Sequence, residues 1–476
     1  CAETLKRARA AFQSGRTANE CFRLAQLNAV IRLVLEHECD FVESLGRDLH
    51  KVNRGHYKYA GLSIYYLLTL QISDHTLVSI NSIVFIVLNV YSTALDECMV
   101  VSEPLGTVLI LRSWACPVQL CLVPLIGAIA AGNCVVISPS EHCTHTAELL
   151  HRLLPSYLDN VSIVELKFDH IFFSGKTFEG TKVSLAAARN LTPVTLVLSG
   201  KNPCYVDQNC DINTTARRIT WARFHNGGQS MASPDYVLCH VDAKERLLQA
   251  LRCAVLIFYG SDPRESRSYG RLVNMENFSR VRDLLWRSGK VVMGGHVNEV
   301  EKYVAPTILS DVTETDPVMH QEYFGPILPV LTVENVDEAI SFINKRDKPL
   351  CVYAYSSNSK VISRLMNETS SGSFCSNDSV LQSLMPCLPF GGVGPSGMGS
   401  YHGQCSFKTF SHKKSCLLRG TRIECFTYLR YPPYDERNLR ARAGVKSYEG
   451  LDGTVSMVLI KNLSGTLSVS MFPPAS

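Results

Sequence analysis

Between Gly106 and Leu198 short apolar runs alternate with amphipathic segments, with little chain between them. Gly106 to Leu111 reads as a strand, Pro117 to Ala131 as a buried helix and Cys134 to Ile137 as a strand. Thr144 to Leu154 reads as a helix, His170 to Phe173 as a strand, Gly180 to Asn190 as a helix and Val194 to Leu198 as a strand. Strands separated by single helices imply parallel pairing, because the crossover needs a dozen or more residues. The fold class expected is therefore α/β with a parallel, doubly wound sheet. Its crevice, at the carboxyl ends of the strands, is where such folds commonly hold a nucleotide.

A second α/β run begins near Asp211. Tyr236 to Cys239, Val291 to Met293, Ile327 to Val333 and Val352 to Tyr355 read as strands. Lys244 to Phe258, Phe278 to Arg287, Val336 to Lys345 and Lys360 to Asn367 read as helices. At 476 residues and 46% apolar, the chain can bury two or three cores. The first fifty residues read as two or three helices, with Leu24, Leu27, Ile31, Val34 and Leu35 on one face. His75 to Leu95 carries no Asp, Glu, Lys or Arg, but Asn and Ser interrupt it, so a buried helix running into a strand is expected rather than a membrane span. A net charge of +4 without a long basic run excludes nucleic acid as the expected partner. The 18 cysteines are scattered singly, which points to reduced thiols in the cytoplasm rather than to a disulfide framework. His142, Cys143 and His145 lie close together without a fourth ligand at the usual spacing, so no metal is expected. Gly394-Pro395-Ser396-Gly397 falls one glycine short of a nucleophile elbow. About the last forty residues read as a poorly ordered tail ending Phe-Pro-Pro-Ala-Ser, without a prenylation box, so membrane anchoring is not expected.

The stretch that carries chemistry is Phe224-His225-Asn226-Gly227-Gly228-Gln229-Ser230-Met231, followed by Pro234-Asp235-Tyr236. It is a small-residue turn between a helix and a buried strand, where backbone can approach another molecule closely. The turn resembles the nucleophile loop of the aldehyde dehydrogenase superfamily, F-x-N-x-G-Q-x-C, with the P-D-Y of its class 3 members. The resemblance extends from Asp48 to Pro433 through runs such as Gly200-Lys201-Asn202-Pro203, Tyr323-Phe324-Gly325-Pro326 and Pro389-Phe390-Gly391-Gly392-Val393-Gly394. It fails at Val52 to Met99, Asp159 to Phe168 and beyond Arg437. The fold it implies is a parallel doubly wound cofactor domain, an α/β catalytic domain and a small β arm for dimerisation. The expected boundaries are 1–196 for the cofactor domain (arm strand near 97–111), 197–402 for the catalytic domain, 403–430 for the bridging segment and 431–476 for the tail.

Three positions depart from the family pattern. The catalytic cysteine is Met231, a thioether with no proton to lose. The general-base glutamate of T-L-E-L-G-G-K is Val197, which cannot take a proton, and Ser199 replaces a glycine. The asparagine of P-W-N-Y-P, which steadies the oxyanion, is Ala115; loss of one such donor typically costs about two to three powers of ten in rate. Ser230, His225 and Cys116 are adjacent to these positions, and none is expected to take over the attack.

Cofactor contacts implied by the resemblance involve Trp114, Ser138 in place of the ribose-binding lysine, Gly175, Lys176 and Gly180 of the phosphate turn, and Glu322 and Phe324 for the nicotinamide ribose and ring. Only about a dozen residues lie between Leu158 and His170, where the family fits a strand, a turn and a helix. NAD or NADP binding is therefore expected to be weak. By ancestry the reaction is NAD(P)-dependent oxidation of medium-chain, long-chain or aromatic aldehydes to carboxylates. The expectation is a homodimeric, catalytically impaired member; a non-catalytic binding protein and a degenerate paralogue remain as alternatives.

Overall fold

In the computed structural model, the residues described are 2–50, 86–87, 97–111, 113–158, 168–419, 431–432, 458–461 and 467–470. The chain divides into two units, one formed by residues 1–77 and 104–410, the other by 78–103 and 411–476.

Among the described residues the first unit holds two large sheets and a two-stranded ribbon of Val297–Asn298 with Tyr303–Val304. In the five-stranded one, Thr107–Leu111 lies at the middle of a parallel set, with Cys134–Ser138 on one side and His170–Gly175 then Val194–Leu198 on the other. Gly397–Met398 closes this sheet antiparallel to Val194–Leu198. The chain leaves Thr107–Leu111 toward one edge and returns to its other side, so a switch point falls between that strand and His170–Gly175. The crevice opens at such a point, at the carboxyl ends of the two strands.

The seven-stranded sheet runs Ser373–Ser376, Cys351–Tyr355, Pro203–Val206, Tyr236–His240, Ile327–Val333, Thr307–Ser310 and Lys290–Met293. All neighbours are parallel except the last pair. Cys351–Tyr355 and Tyr236–His240 are buried along their whole length, as expected for parallel strands covered on both faces. Its flanking helices begin at side-chain caps: Asp211 accepts from the backbone of Asn213 and Thr214, and Asn335 from that of Glu338.

Several readings are sharpened or corrected. Helix Glu20–Glu36 buries Leu27, Ala29, Val30, Leu33 and Val34, whereas Leu35 is 54% exposed. Each residue turns the helix by about 100°, so Leu35 falls off the edge of the face that Val34 shares with Leu27. The arm strand placed near 97–111 is two strands in different sheets. Glu97–Pro104 pairs with Ser411–Leu418, and Thr107–Leu111 is central in the five-stranded sheet. Gly106, at φ 133° with its N–H on the Asn133 side chain, separates them. Pro203–Val206, Thr307–Ser310 and Ser373–Ser376 are strands that short runs and an initial proline conceal.

Apart from Ile86–Val87, the stretch His75 to Leu95 lies outside the described residues, as do the shortened Asp159 to Lys167 and most of the tail. Within the tail, Val458–Lys461 pairs antiparallel with Leu467–Ser470 and with Ile86–Val87. Among the described residues no helix is long and apolar enough to cross a membrane.

Candidate functional site

Helix Ile212–Phe224 delivers the chain into a turn whose backbone is unusual at three successive residues. Asn226, Gly227 and Gly228 have φ of 56°, 61° and 74°. A side chain at Gly228 would put its Cβ 2.2 Å from the carbonyl oxygen of Gly325, so only glycine fits. Asn226 tolerates the left-handed region and commits both its amide protons: Nδ2 donates to the carbonyls of Ala115 at 2.9 Å and Gln229 at 2.8 Å, while Oδ1 is buried without a partner. Gln229 spans the turn, donating to the carbonyls of Asn226 and Arg271 and accepting from the Val273 N–H.

Beneath the turn lies Arg223, fully buried. It pairs with Asp235 at 3.0 Å and donates to the carbonyls of Pro234 and Gly325, while its guanidinium faces the Tyr323 ring at 4.8 Å. Asn202 donates to the carbonyls of Met231 at 2.8 Å and Ser233 at 2.9 Å, and its N–H reaches Asp235. The loop is thereby fixed from both ends.

This frame holds Met231 at the wall of a crevice of about 300 Å³ that Trp114, Gly175, Lys176 and Phe324 also line. Met231 is only 9% exposed, and Ser174 points its hydroxyl at the thioether sulfur from 3.8 Å. Val197 is fully buried in the strand beside Ser174, its register partner. Ala115 is 1% exposed and offers the site only a carbonyl, which Asn226 already occupies. Both amide protons of Asn226 are committed, so it cannot serve in the place of a missing donor.

The whole architecture has counterparts. The chain matches the aldehyde dehydrogenase family over residues 2–158 and 160–416. It is 46% identical to rat aldehyde dehydrogenase family 3 member B1 over 457 residues, covering 92% of this chain and 96% of that one. It is 43% identical to rat aldehyde dehydrogenase family 3 member A2, with 91% of each chain covered. The solved structure of Staphylococcus aureus AldH, described as a substrate-bound state, superposes with a TM-score of 0.87 at 36% identity, covering 93% of this chain and 99% of the other. The chain belongs to the aldehyde dehydrogenase family.

The positions expected to meet the cofactor in this aldehyde dehydrogenase-family chain fall into two groups. Trp114, Gly175, Lys176 and Phe324 share the crevice; the Trp114 and Phe324 rings meet edge to face at 5.8 Å, with Phe324 held at φ 44°. Ser138 ends its strand just before Pro139, which reaches the crevice wall. Gly180 is a packing residue: a Cβ there would meet the Leu198 side chain at 2.5 Å. Glu322 is half-buried, and burial pushes its carboxyl up to about 8 against the pull of Lys176 and Lys201. Burial likewise pushes the Lys201 ammonium down to about 7; it donates to the Gln321 carbonyl and lies over the Tyr323 ring at 4.2 Å.

The residues missed by sequence reasoning are those that hold the loop rather than those that would react. Arg223 lies one position before the motif and Asp235 inside its P-D-Y, so an ion pair at that spacing was available as a signal. Asn202 lies in the run Gly200-Lys201-Asn202-Pro203 and Ser174 beside Gly175 of the phosphate turn, but only the folded chain brings them to Met231. His142 lines the crevice, its N–H on Ser140 Oγ, while Cys143 donates to the Trp114 carbonyl and the His145 N–H to Asp48. Those three residues serve turns and caps. Among the described residues no group of three or more His, Cys, Asp or Glu is placed to hold a metal.

Proposed function

We propose that this aldehyde dehydrogenase-family chain has lost the oxidation of medium-chain, long-chain or aromatic aldehydes and persists as a homodimeric, cytoplasmic pseudoenzyme. One observation carries the reading. The position that faces the crevice from the nucleophile loop is a thioether, and the amide protons of Asn202 and Asn226 beside it are already spent on loop carbonyls and on Ala115. No thiolate can form at Met231, Val197 cannot take a proton from water, and Ala115 has nothing to donate to an oxyanion.

The crevice also fits a nicotinamide dinucleotide poorly, and weak binding of NAD or NADP belongs to the same proposal. Lys176 offers one positive charge, but the Glu179 carboxylate accepts its backbone N–H at 3.2 Å. A helix N-terminus attracts phosphate through such free donors, and here an acid has taken one. Glu141 adds a second carboxylate to the wall. The division into a cofactor part (1–196) and a catalytic part (197–402) is carried over from the family. Dimerisation rests on the ribbon of Glu97–Pro104 with Ser411–Leu418, since two strands alone are marginal in water.

The test is NAD(P)H formation from a medium-chain and an aromatic aldehyde. The unmodified chain should give none above background. The triple variant Met231→Cys, Val197→Glu, Ala115→Asn is the first expected to turn over, because parts of one mechanism are strongly non-additive. Turnover by the unmodified chain that survives thiol alkylation and Cys116→Ser would overturn the reading.

A further inference from the structure

Ser199 is out of keeping with its surroundings. It follows the strand Val194–Leu198, is 1% exposed, and its N–H reaches the Gly175 carbonyl at 3.4 Å. Its hydroxyl is buried with no group in bonding distance. A buried hydroxyl without a partner costs stability, so nothing in the folding of the strand accounts for a serine at this place. The group that lies against it is the carboxyl of Glu322. Burial pushes that carboxyl up to about 8, and the Ser199 hydroxyl acts in the other direction.

Neither side of this contact is free to swing away. The Gln321 carbonyl accepts from Lys201 at 2.9 Å, the Glu322 carbonyl accepts from Arg280 at 2.7 Å, and the Tyr323 hydroxyl donates to the Asp235 carbonyl at 2.6 Å. On the other side, a Cβ on Gly200 would come within 3.4 Å of the Pro349 and Leu350 backbones, so the strand end is held from behind. The two fixed segments meet at one end of the crevice. Gly175 and Phe324 line its wall, whereas neither Ser199 nor Glu322 is among the described residues that do. The open space stops where the pair begins. It measures about 300 Å³, at the bottom of the range of roughly 300–1,000 Å³ for small-molecule pockets.

We propose that the side chain of Ser199 closes the crevice at Glu322, so that what is left admits one nucleotide and not two. Ser199 is thus a specificity-determining residue. Lys176 supplies one positive charge and Trp114 one aromatic face, enough for a single nucleotide. A dinucleotide with one half in the crevice would have to carry the other past Gly175 and Phe324, where Ser199 and Glu322 are packed together. That second half is left in solvent and contributes nothing. On the reading that NAD and NADP bind weakly, Ser199 is the residue responsible, and its effect is separate from the loss of reactive groups at Met231, Val197 and Ala115.

The experiment is calorimetric titration of the full chain with AMP, as a single-nucleotide probe, and with NAD. The unmodified chain should bind the two within about threefold of each other. Ser199→Gly should tighten NAD about tenfold or more and leave AMP unchanged. Ser199→Ala, a smaller cut, should move NAD in the same direction. Retained AMP binding and an unchanged melting curve will show that the variants are folded. An unchanged NAD affinity in Ser199→Gly, an equal gain for AMP and NAD, or no binding of either nucleotide overturns the assignment to Ser199 while the poor fit of the dinucleotide stands. NAD bound by the unmodified chain far more tightly than AMP overturns the poor fit itself, and the closure with it.

Discussion

The turn from Phe224 to Asp235 and the three positions around it have fared differently. Every special feature of the turn is present: glycine where Gly325 leaves no room, an asparagine in the left-handed region with both amide protons placed, and a buried arginine paired to Asp235. At Met231, Val197 and Ala115 the side chains are instead apolar and nearly buried. The difference follows from what each set does. Removing a frame residue leaves a buried charge or carbonyl without its partner, which threatens folding itself. Replacing a reactive group with an apolar one of fitting shape costs the fold little and can even improve packing. The frame and the reactive positions are therefore under different physical constraints, which is what the proposed loss of chemistry requires.

The sharpest way to break this comparison is Arg223→Leu. It strands the Asp235 carboxylate in the interior together with the carbonyls of Pro234 and Gly325, and should cost about 3–5 kcal/mol in urea denaturation. A loss below about 1 kcal/mol would show that the frame is as dispensable as the reactive positions.

A second test uses acid. Burial holds the His170 and His402 imidazoles down at about 4, below the ordinary 6.5. Between those values the unfolded chain binds the protons and the folded one does not, so stability is fully present above 6.5 and is lost as pH falls toward 4. The slope is at most about 1.4 kcal/mol per pH unit for each histidine. Glu322 acts in the opposite sense, since its raised carboxyl makes stability fall as pH rises from 4.5 toward 8. It is one group against two histidines, so the midpoint of urea denaturation should still drop from pH 6.5 to 4.5. A flat profile would mean the two histidines are not held neutral.

The smallest effect should come from Met231→Cys, at about 1 kcal/mol or less, for lost packing at a residue on the crevice wall. The variant should show one more thiol reacting with a disulfide reagent than the unmodified chain, in which Cys21, Cys39, Cys253 and Cys387 are exposed among the described residues. If that thiol were unreactive in the folded chain, the frame would have closed over the position, and the separation between scaffold and chemistry would be less clean.

Much of the fold was legible in the chain. Val194 to Leu198 and Ile327 to Val333 match their observed strands to the residue, because period and length are local properties. Helix Thr144–Tyr157 ran one turn past its expected end because Pro155 sits inside it, near the carboxyl end, instead of stopping it. The single arm strand failed for another reason: pairing, not propensity, decides which sheet a strand joins, and Glu97–Pro104 and Thr107–Leu111 have different partners.

The sequence by itself determined the family, the parallel α/β order and the absence of an ionisable side chain at Met231 and Val197, because residue type and local period carry that information. Only the tertiary structure decided that Ser174 and Asn202 meet at Met231, that Gly180 packs against Leu198 and that Phe178 and Leu185 face outward. A periodic pattern states that a helix has an apolar side. Which side the sheet will accept depends on how closely the two backbones approach, and that is settled only when the layers pack.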